Sequence, residues 1–214
     1  SLGINLTGSR TYDGTSILNA GIFTLSGLVG GQTLSLTGSG TVADKNVGTG
    51  KPVSLGSLTL GDGTGLASNY TLAGGSHVAN ITPAPLTFAS ASANSRVYDG
   101  TTAATLNLGG LSGVFAGDLL TVSGSGSFAD KNAGTAKVVT ASVALGGTAA
   151  GNYTVATPAG LQADITPRPL TLAFGTTTKA YDGGTVATPG AFTLGNAVGA
   201  DLPSLAVAGS AAFA

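Results

Sequence analysis

The chain has no cysteine, no methionine and no tryptophan, and a single histidine among 214 residues. Without cysteine there is no disulfide framework and no thiol chemistry. His77 stands alone, so no triad or metal site can be assembled around it, and it is read as a surface residue. Charge is scarce too: 8% of residues are charged, against roughly 25% in an average soluble domain. A formal net charge of −1 gives no electrostatic reason to expect nucleic acid or an anionic membrane as partner. No apolar run reaches the roughly 18 residues that suggest a spanning helix, so no membrane insertion is predicted for this segment. No signal peptide is visible at Ser1. No Gly-rich loop follows a strand and opens a helix, which excludes a phosphate cradle. No set of base, nucleophile and metal ligands emerges, so neither an enzyme nor a cofactor is expected.

What the chain does have is glycine, at 36 residues, and apolar residues at 42%, alternating with small polar ones. That pattern can bury a core and is not the composition of a disordered segment. Four phrases recur in one order at an interval of about 84 residues. Tyr-Asp-Gly stands at Tyr12, Asp13, Gly14, at Tyr98, Asp99, Gly100 and at Tyr181, Asp182, Gly183. Asp-Lys-Asn stands at Asp44, Lys45, Asn46 and at Asp130, Lys131, Asn132. Asn-Tyr-Thr occupies 69–71 and 152–154, and an Ile-Thr-Pro-x-Pro-Leu-Thr phrase starts at Ile81 and at Ile165.

The Pro-x-Pro segments are the natural joints, because proline fixes φ, lacks an N–H and resists joining a sheet. The organisation read from this is repeat 1 over 1–82, a linker at 83–85, repeat 2 over 86–166, a linker at 167–169, and an incomplete repeat 3 over 170–214. The array is expected to be a slice of a longer protein. Within each repeat the signals are β: alternation in "PLTLAF", a long candidate strand in "AKVVTASVAL", and Asp-Gly turn dipeptides. No stretch holds a clean helical period. Several short strands in about 84 residues predict an all-β fold, a tandem series of immunoglobulin-like β-sandwiches in an elongated array. A continuous β-helix is the runner-up, although its periods are usually nearer 20 residues.

The phrases "VYDGTT", "FADKNAGT", "GNYTV" and "ITPRPLT", in this order, resemble the YDG/MBG-type repeats of large bacterial secreted adhesins. Those proteins are similar to filamentous-haemagglutinin-type proteins exported by two-partner secretion, biofilm matrix adhesins among them. The resemblance implies extracellular stalk or spacer repeats at the bacterial surface or in the biofilm matrix, serving cell–cell or surface adhesion. Two alternatives stay open. Each repeat could bind exopolysaccharide or cell-surface glycan directly, with avidity from many weak sites. Or exposed strand edges could pair and build a self-associating filament.

The repeated residues carry competing readings. For Tyr12, Tyr98 and Tyr181 the structural reading buries the ring in the sandwich while Asp-Gly makes the turn. The functional reading makes each tyrosine an exposed glycan contact. For Asp-Lys-Asn, one reading is a hairpin end with solvated lysine. A second pairs the aspartate, partly buried, with the basic residue before Tyr-Asp-Gly: Asp44 or Asp130 with Arg10 or Arg96, Lys179 standing at that place in repeat 3. A third is a Lys–Asn or Lys–Asp isopeptide crosslink, which needs a buried lysine of lowered pKa and a partner in Asp13, Asp99 or another residue. Asn69 and Asn152 match the N-glycosylation pattern, as do Asn5 and Asn80. Asp62 hints at a calcium loop but is a single carboxylate. The abundant threonines are read as good strand residues rather than as a binding ladder.

Overall fold

The computed structural model describes residues 1–188 and 191–212. The repeat 3 reading over 170–214 therefore includes four residues, 189–190 and 213–214, that lie outside the described ones. The fold is nearly all β, consistent with β-sandwich repeats in tandem. Among the described residues the helical segments are short 3-10 turns, Ala20–Ile22, Ala67–Asn69, Ala150–Asn152 and Gly199–Ser204.

The chain forms two compact units. The first comprises Ser1–Ser90, Gly109–Ser123 and Val143–Thr157; the second comprises Ala91–Leu108, Gly124–Ser142 and Pro158–Ala214. These units do not follow the repeat boundaries drawn at 82 and 166, because segments of repeat 2 complete the first unit.

In the first unit, strand Asn5–Thr11 lies between Phe23–Ser26, antiparallel, and His77–Thr82, parallel; Gly48–Pro52 closes the far edge. Alternation along the strands selects the core face. Leu6 is buried on the first, and Ala79 and Ile81 on the last. The second unit repeats this plan: Arg96–Val97 runs parallel to Leu161–Thr166, which is antiparallel to the first half of the long strand Gly134–Gly146, from Gly134 to Val139. The register slips in both copies on the antiparallel side, between Ala79 and Ile81 and between Gly134 and Lys137. A repeated bulge is a designed feature of a repeat rather than an accident of one copy.

The first Pro-x-Pro segment is not the linker that the sequence predicts. Ala84–Phe88 is a strand, parallel to Tyr153–Val155 and antiparallel to Leu111–Ser112. Proline costs a strand only its own donors. Ala84 and Leu86, two apart, point the same way, and both are buried, at 5% and 1% exposure. The core of the first unit therefore runs from Ile4, Leu6, Tyr12 and Leu18 of repeat 1 to Ala149 and Tyr153 of repeat 2. The second unit has its own core of Ala104, Phe128, Val139, Leu161, Ala163 and Ile165, with Tyr98 packed against it.

Candidate functional site

A polar group that draws partners from far along the chain is the carboxylate of Asp118, which appears in none of the recurrent phrases. Its Oδ2 accepts hydrogen bonds from the hydroxyls of Tyr12 at 2.7 Å and Tyr153 at 2.5 Å. Its Oδ1 accepts one from Lys45 Nζ at 2.6 Å. The Asp118 side chain is 3% exposed, so these bonds form largely out of water and are charge-assisted. Burial pushes this carboxyl up. The hydrogen bonds from Lys45, Tyr153 and Tyr12 and the charge of Lys45 outweigh burial and hold it down at about 2. The same contacts act oppositely on their donors. Burial and then Asp118 push the Tyr153 hydroxyl up to about 12, and the bond to Asp118 raises the Lys45 ammonium.

Aromatic packing fixes the geometry. The Tyr12 ring meets Phe115 at 5.7 Å and Tyr153 at 5.3 Å between centroids, both edge-on, an arrangement that ring quadrupoles favour. The backbone N–H of Phe115 donates to the Tyr153 hydroxyl at 3.0 Å, which frees that hydroxyl's own proton for Asp118. One repeat thus contributes a tyrosine and a lysine, and the next contributes a carboxylate set in an aromatic cradle.

The second copy has the same arrangement. Tyr98 donates to Asp201 Oδ2 at 2.6 Å and Lys131 to Asp201 Oδ1 at 3.0 Å. Hydrogen bonds from Tyr98 and then Lys131 lower the Asp201 carboxyl. The receiving loop also exists in repeat 1, but with an amide: Tyr70 donates to Gln32 Oε1 at 2.5 Å and accepts from the Val29 N–H at 3.2 Å.

Tyr-Asp-Gly has a role for each residue. The Asp13 Oδ1 atom accepts from the Thr15 N–H and the Thr15 hydroxyl, both at 2.9 Å, and from Arg10. Asp99 does the same with Thr101 and Arg96. Asp182 holds the Gly184 N–H at 2.9 Å and pairs with Lys179 at 2.7 Å. The glycines sit at φ +79, +82 and +78 for Gly14, Gly100 and Gly183, a region that L-residues avoid. Gly14 also lets Phe115 approach; a Cβ there would stand 3.1 Å from the Phe115 Cβ.

Tyr181 departs from the expected burial, at 98% exposure against 1% for Tyr12. The reason is that the residues covering Tyr12 come from the following repeat, and Tyr181 meets no such cover among the described residues. The glycan reading fails for Tyr12, whose ring has no free face, and Tyr98 commits its hydroxyl to Asp201.

Asp-Lys-Asn divides its labour. Asp44 and Asp130 close their own hairpin ends, accepting from the N–H of Asn46 and Asn132 and pairing with Lys51 at 2.7 Å and Lys137 at 2.5 Å. The expected pairing with Arg10 or Arg96 does not form, because those guanidiniums turn to Asp13 and Asp99. Lys45 and Lys131 reach the next repeat's carboxylate rather than solvent alone. For the crosslink reading, the lysine partners differ from those expected: Lys45 Nζ bonds Asp118 and Lys131 Nζ bonds Asp201, and the bond to Asp118 favours the charged Lys45 over the neutral amine that amide formation needs. Asp13 and Asp99 are not near these lysines' ammonium bonds but are held in their own turns.

Asn152 is 5% exposed. Its Oδ1 accepts from the Val47 N–H at 2.9 Å and its Nδ2 donates to Asn46 Oδ1 at 3.0 Å. Both amide atoms are engaged, so this side chain is not available for a glycan. Asp62 serves a turn, accepting from the Ala67 N–H at 2.7 Å. His77 is half-buried rather than a free surface residue: its Nε2 lies 2.7 Å from the Leu72 carbonyl oxygen, five residues back along the chain. Thr37 and Thr59 pair across strands at 3.0 Å between hydroxyls, the cross-strand use expected of threonine. Among the described residues, no three His, Cys, Asp or Glu side chains gather as metal ligands, and no helix is long and apolar enough to cross a membrane.

The sequence signals that would have found the missing partners are weak. Asp118-Leu119 and Asp201-Leu202 recur at the repeat interval, but in loops where the surrounding residues differ. Lys51 and Lys137 each follow their aspartate by seven positions.

A family model described as YDG domain matches the chain twice, over residues 2–77 and 82–160. No curated protein and no solved structure matches it.

Proposed function

The chain belongs to the YDG domain family, with two matched copies in tandem, and from that premise we propose that it forms stalk or spacer repeats of a large extracellular bacterial adhesin. In this reading the repeats sit at the bacterial cell surface or in the biofilm matrix and support cell–cell or surface adhesion and matrix assembly. They give reach and hold successive repeats together; they perform no catalysis. The observation that carries the reading is the Tyr12–Lys45 grip on Asp118, repeated as Tyr98–Lys131 on Asp201. The tyrosine of one recurrent phrase and the lysine of another are spent on joining one repeat to the next, which is what a spacer requires of them. A glycan-binding module would instead leave them facing solvent.

The test is sedimentation of the purified chain with matrix polysaccharide and with cells, alongside its own oligomeric state. A spacer stays monomeric and sediments with neither. Saturable binding to polysaccharide would replace this reading with the glycan module, and concentration-dependent assembly without ligand would replace it with the filament.

A further inference from the structure

The two copies of the grip differ in what lies beside the carboxylate. Beside Asp118, the segment Asn152–Val155 lies along Ala84–Leu86, in register Ala84 to Tyr153 and Leu86 to Val155. Asn152 there bonds Asn46 and the Val47 N–H, and Tyr153 bonds Asp118. Beside Asp201, the residues at the same positions of the repeat are Asn132, Ala133, Arg168 and Leu170. These four, with Tyr98 and Asp201, line a pocket of about 300 Å³. That size is at the lower end of ligand sites, roughly 300–1,000 Å³, and suits a side chain or two rather than a large ligand. Leu170 is 44% exposed where Leu86 is 1% exposed. Residues 167–170 belong to no strand, so their backbone groups have no ladder partner there. Arg168 holds one wall by donating to the carbonyls of Asn196 and Tyr98.

We propose that this pocket is a docking site for an Asn-Tyr-Thr β-segment from a repeat of the same kind. The asparagine amide would bond Asn132 and the Ala133 N–H. The tyrosine hydroxyl would donate to Asp201. The segment's backbone would run parallel to Arg168–Leu170 and cover Leu170. Backbone pairing supplies affinity and the two side chains supply selectivity, as in strand addition at a sheet edge. The proposal rests on the coupling of successive repeats argued above, and it adds what closes each joint.

The test is titration of the chain with an acetylated hexapeptide of the sequence Ala-Gly-Asn-Tyr-Thr-Val, followed by backbone amide chemical shifts. Saturable shifts are expected at Ala133 and Leu170. A peptide with phenylalanine for tyrosine should bind roughly tenfold to a hundredfold more weakly, the worth of one hydrogen bond to a charged group. Asp201→Asn should weaken the unaltered peptide by a similar factor. The proposal is overturned by an absence of saturable binding at millimolar peptide, or by equal binding of the phenylalanine peptide. Shifts confined to Asn46 and Val47, which would report displacement of the resident strand, also overturn it. The coupling itself is judged separately: if Tyr98→Phe lowers stability while the peptide does not bind, the coupling stands and the pocket's assignment falls.

Discussion

Tyr12→Phe removes one oxygen atom and leaves the ring, so it isolates the hydroxyl's bond to Asp118. The edge-on contacts at 5.3 and 5.7 Å do not need the oxygen, and no cavity the size of a side chain opens. What disappears is a 2.7 Å bond to an ionised carboxylate that is 3% exposed. Hydrogen bonds to charged groups contribute about 1.5–3 kcal/mol. Asp118 keeps Tyr153 and Lys45, so the charge is not abandoned, and the lower half of that range is the expectation. For a unit of this size that means a fall in Tm of roughly 4 °C per kcal/mol. The assay is urea and thermal unfolding followed through the near-ultraviolet circular dichroism of the tyrosines, performed on the wild type, Tyr12→Phe, Asp118→Asn and the double variant. An amide at position 118 offers one acceptor oxygen instead of two and no charge, so the two changes must be strongly non-additive. A coupling energy of about 1 kcal/mol or more is expected, well above the roughly 0.3–0.5 kcal/mol within which independent sites add. If Tyr12→Phe costs as much in the Asp118→Asn background as in the wild type, the hydroxyl is not held by that carboxylate and the account of the grip is wrong.

Three further outcomes follow from the same geometry. Asp118 has a depressed folded pKa, about 2 against 3.8, so its stabilisation is present above pH 4 and lost as pH falls through 4 to 2. The loss is on the order of 2 kcal/mol, and denaturation at pH 6, 4 and 2 should show it shrinking in Asp118→Asn. Gly14→Ala and Gly100→Ala should each cost at least about 1–2 kcal/mol for the left-handed backbone alone. They should exceed Gly183→Ala, because a Cβ at Gly100 would stand 2.7 Å from Val198 Cγ1 while Gly183 has open space; equal Tm losses would sink the claim that the turn is packed. Asn152→Ala should destabilise by about 1–3 kcal/mol by leaving the Val47 N–H unsatisfied, whereas the exposed Asn69→Ala should shift the denaturation midpoint little.

The repeats, their β character and the turn geometry at Asp-Gly were legible because they are local and periodic. Alternation puts Leu6, Ala79 and Ile81 on one face, and φ near +80° demands glycine, and both can be read along the chain. The far ends of the grip were not legible. Lys45 finds Asp118 at a separation of 73 residues and Tyr12 finds it at 106, and the only local mark of Asp118 is an Asp-Leu pair that returns at Asp201 among different neighbours. The first Pro-x-Pro was misread for a related reason. Proline's effect on its own strand is local, while the burial of Ala84 and Leu86 is decided by Tyr153–Val155, about 70 positions later.

The parallel pairing of Asn5–Thr11 with His77–Thr82 has a mechanical consequence. These strands open and close repeat 1, and they are registered pair by pair from Leu6 with His77 to Thr11 with Thr82. Tension entering near residue 5 and leaving near residue 82 pulls two parallel strands in opposite directions along their length. The ladder is then loaded in shear, so its hydrogen bonds share the force and must yield together. An antiparallel hairpin pulled from its open end would instead unzip, its bonds breaking singly and in sequence. Pulled from its two ends, the repeat is loaded in the direction in which its closing strands resist most.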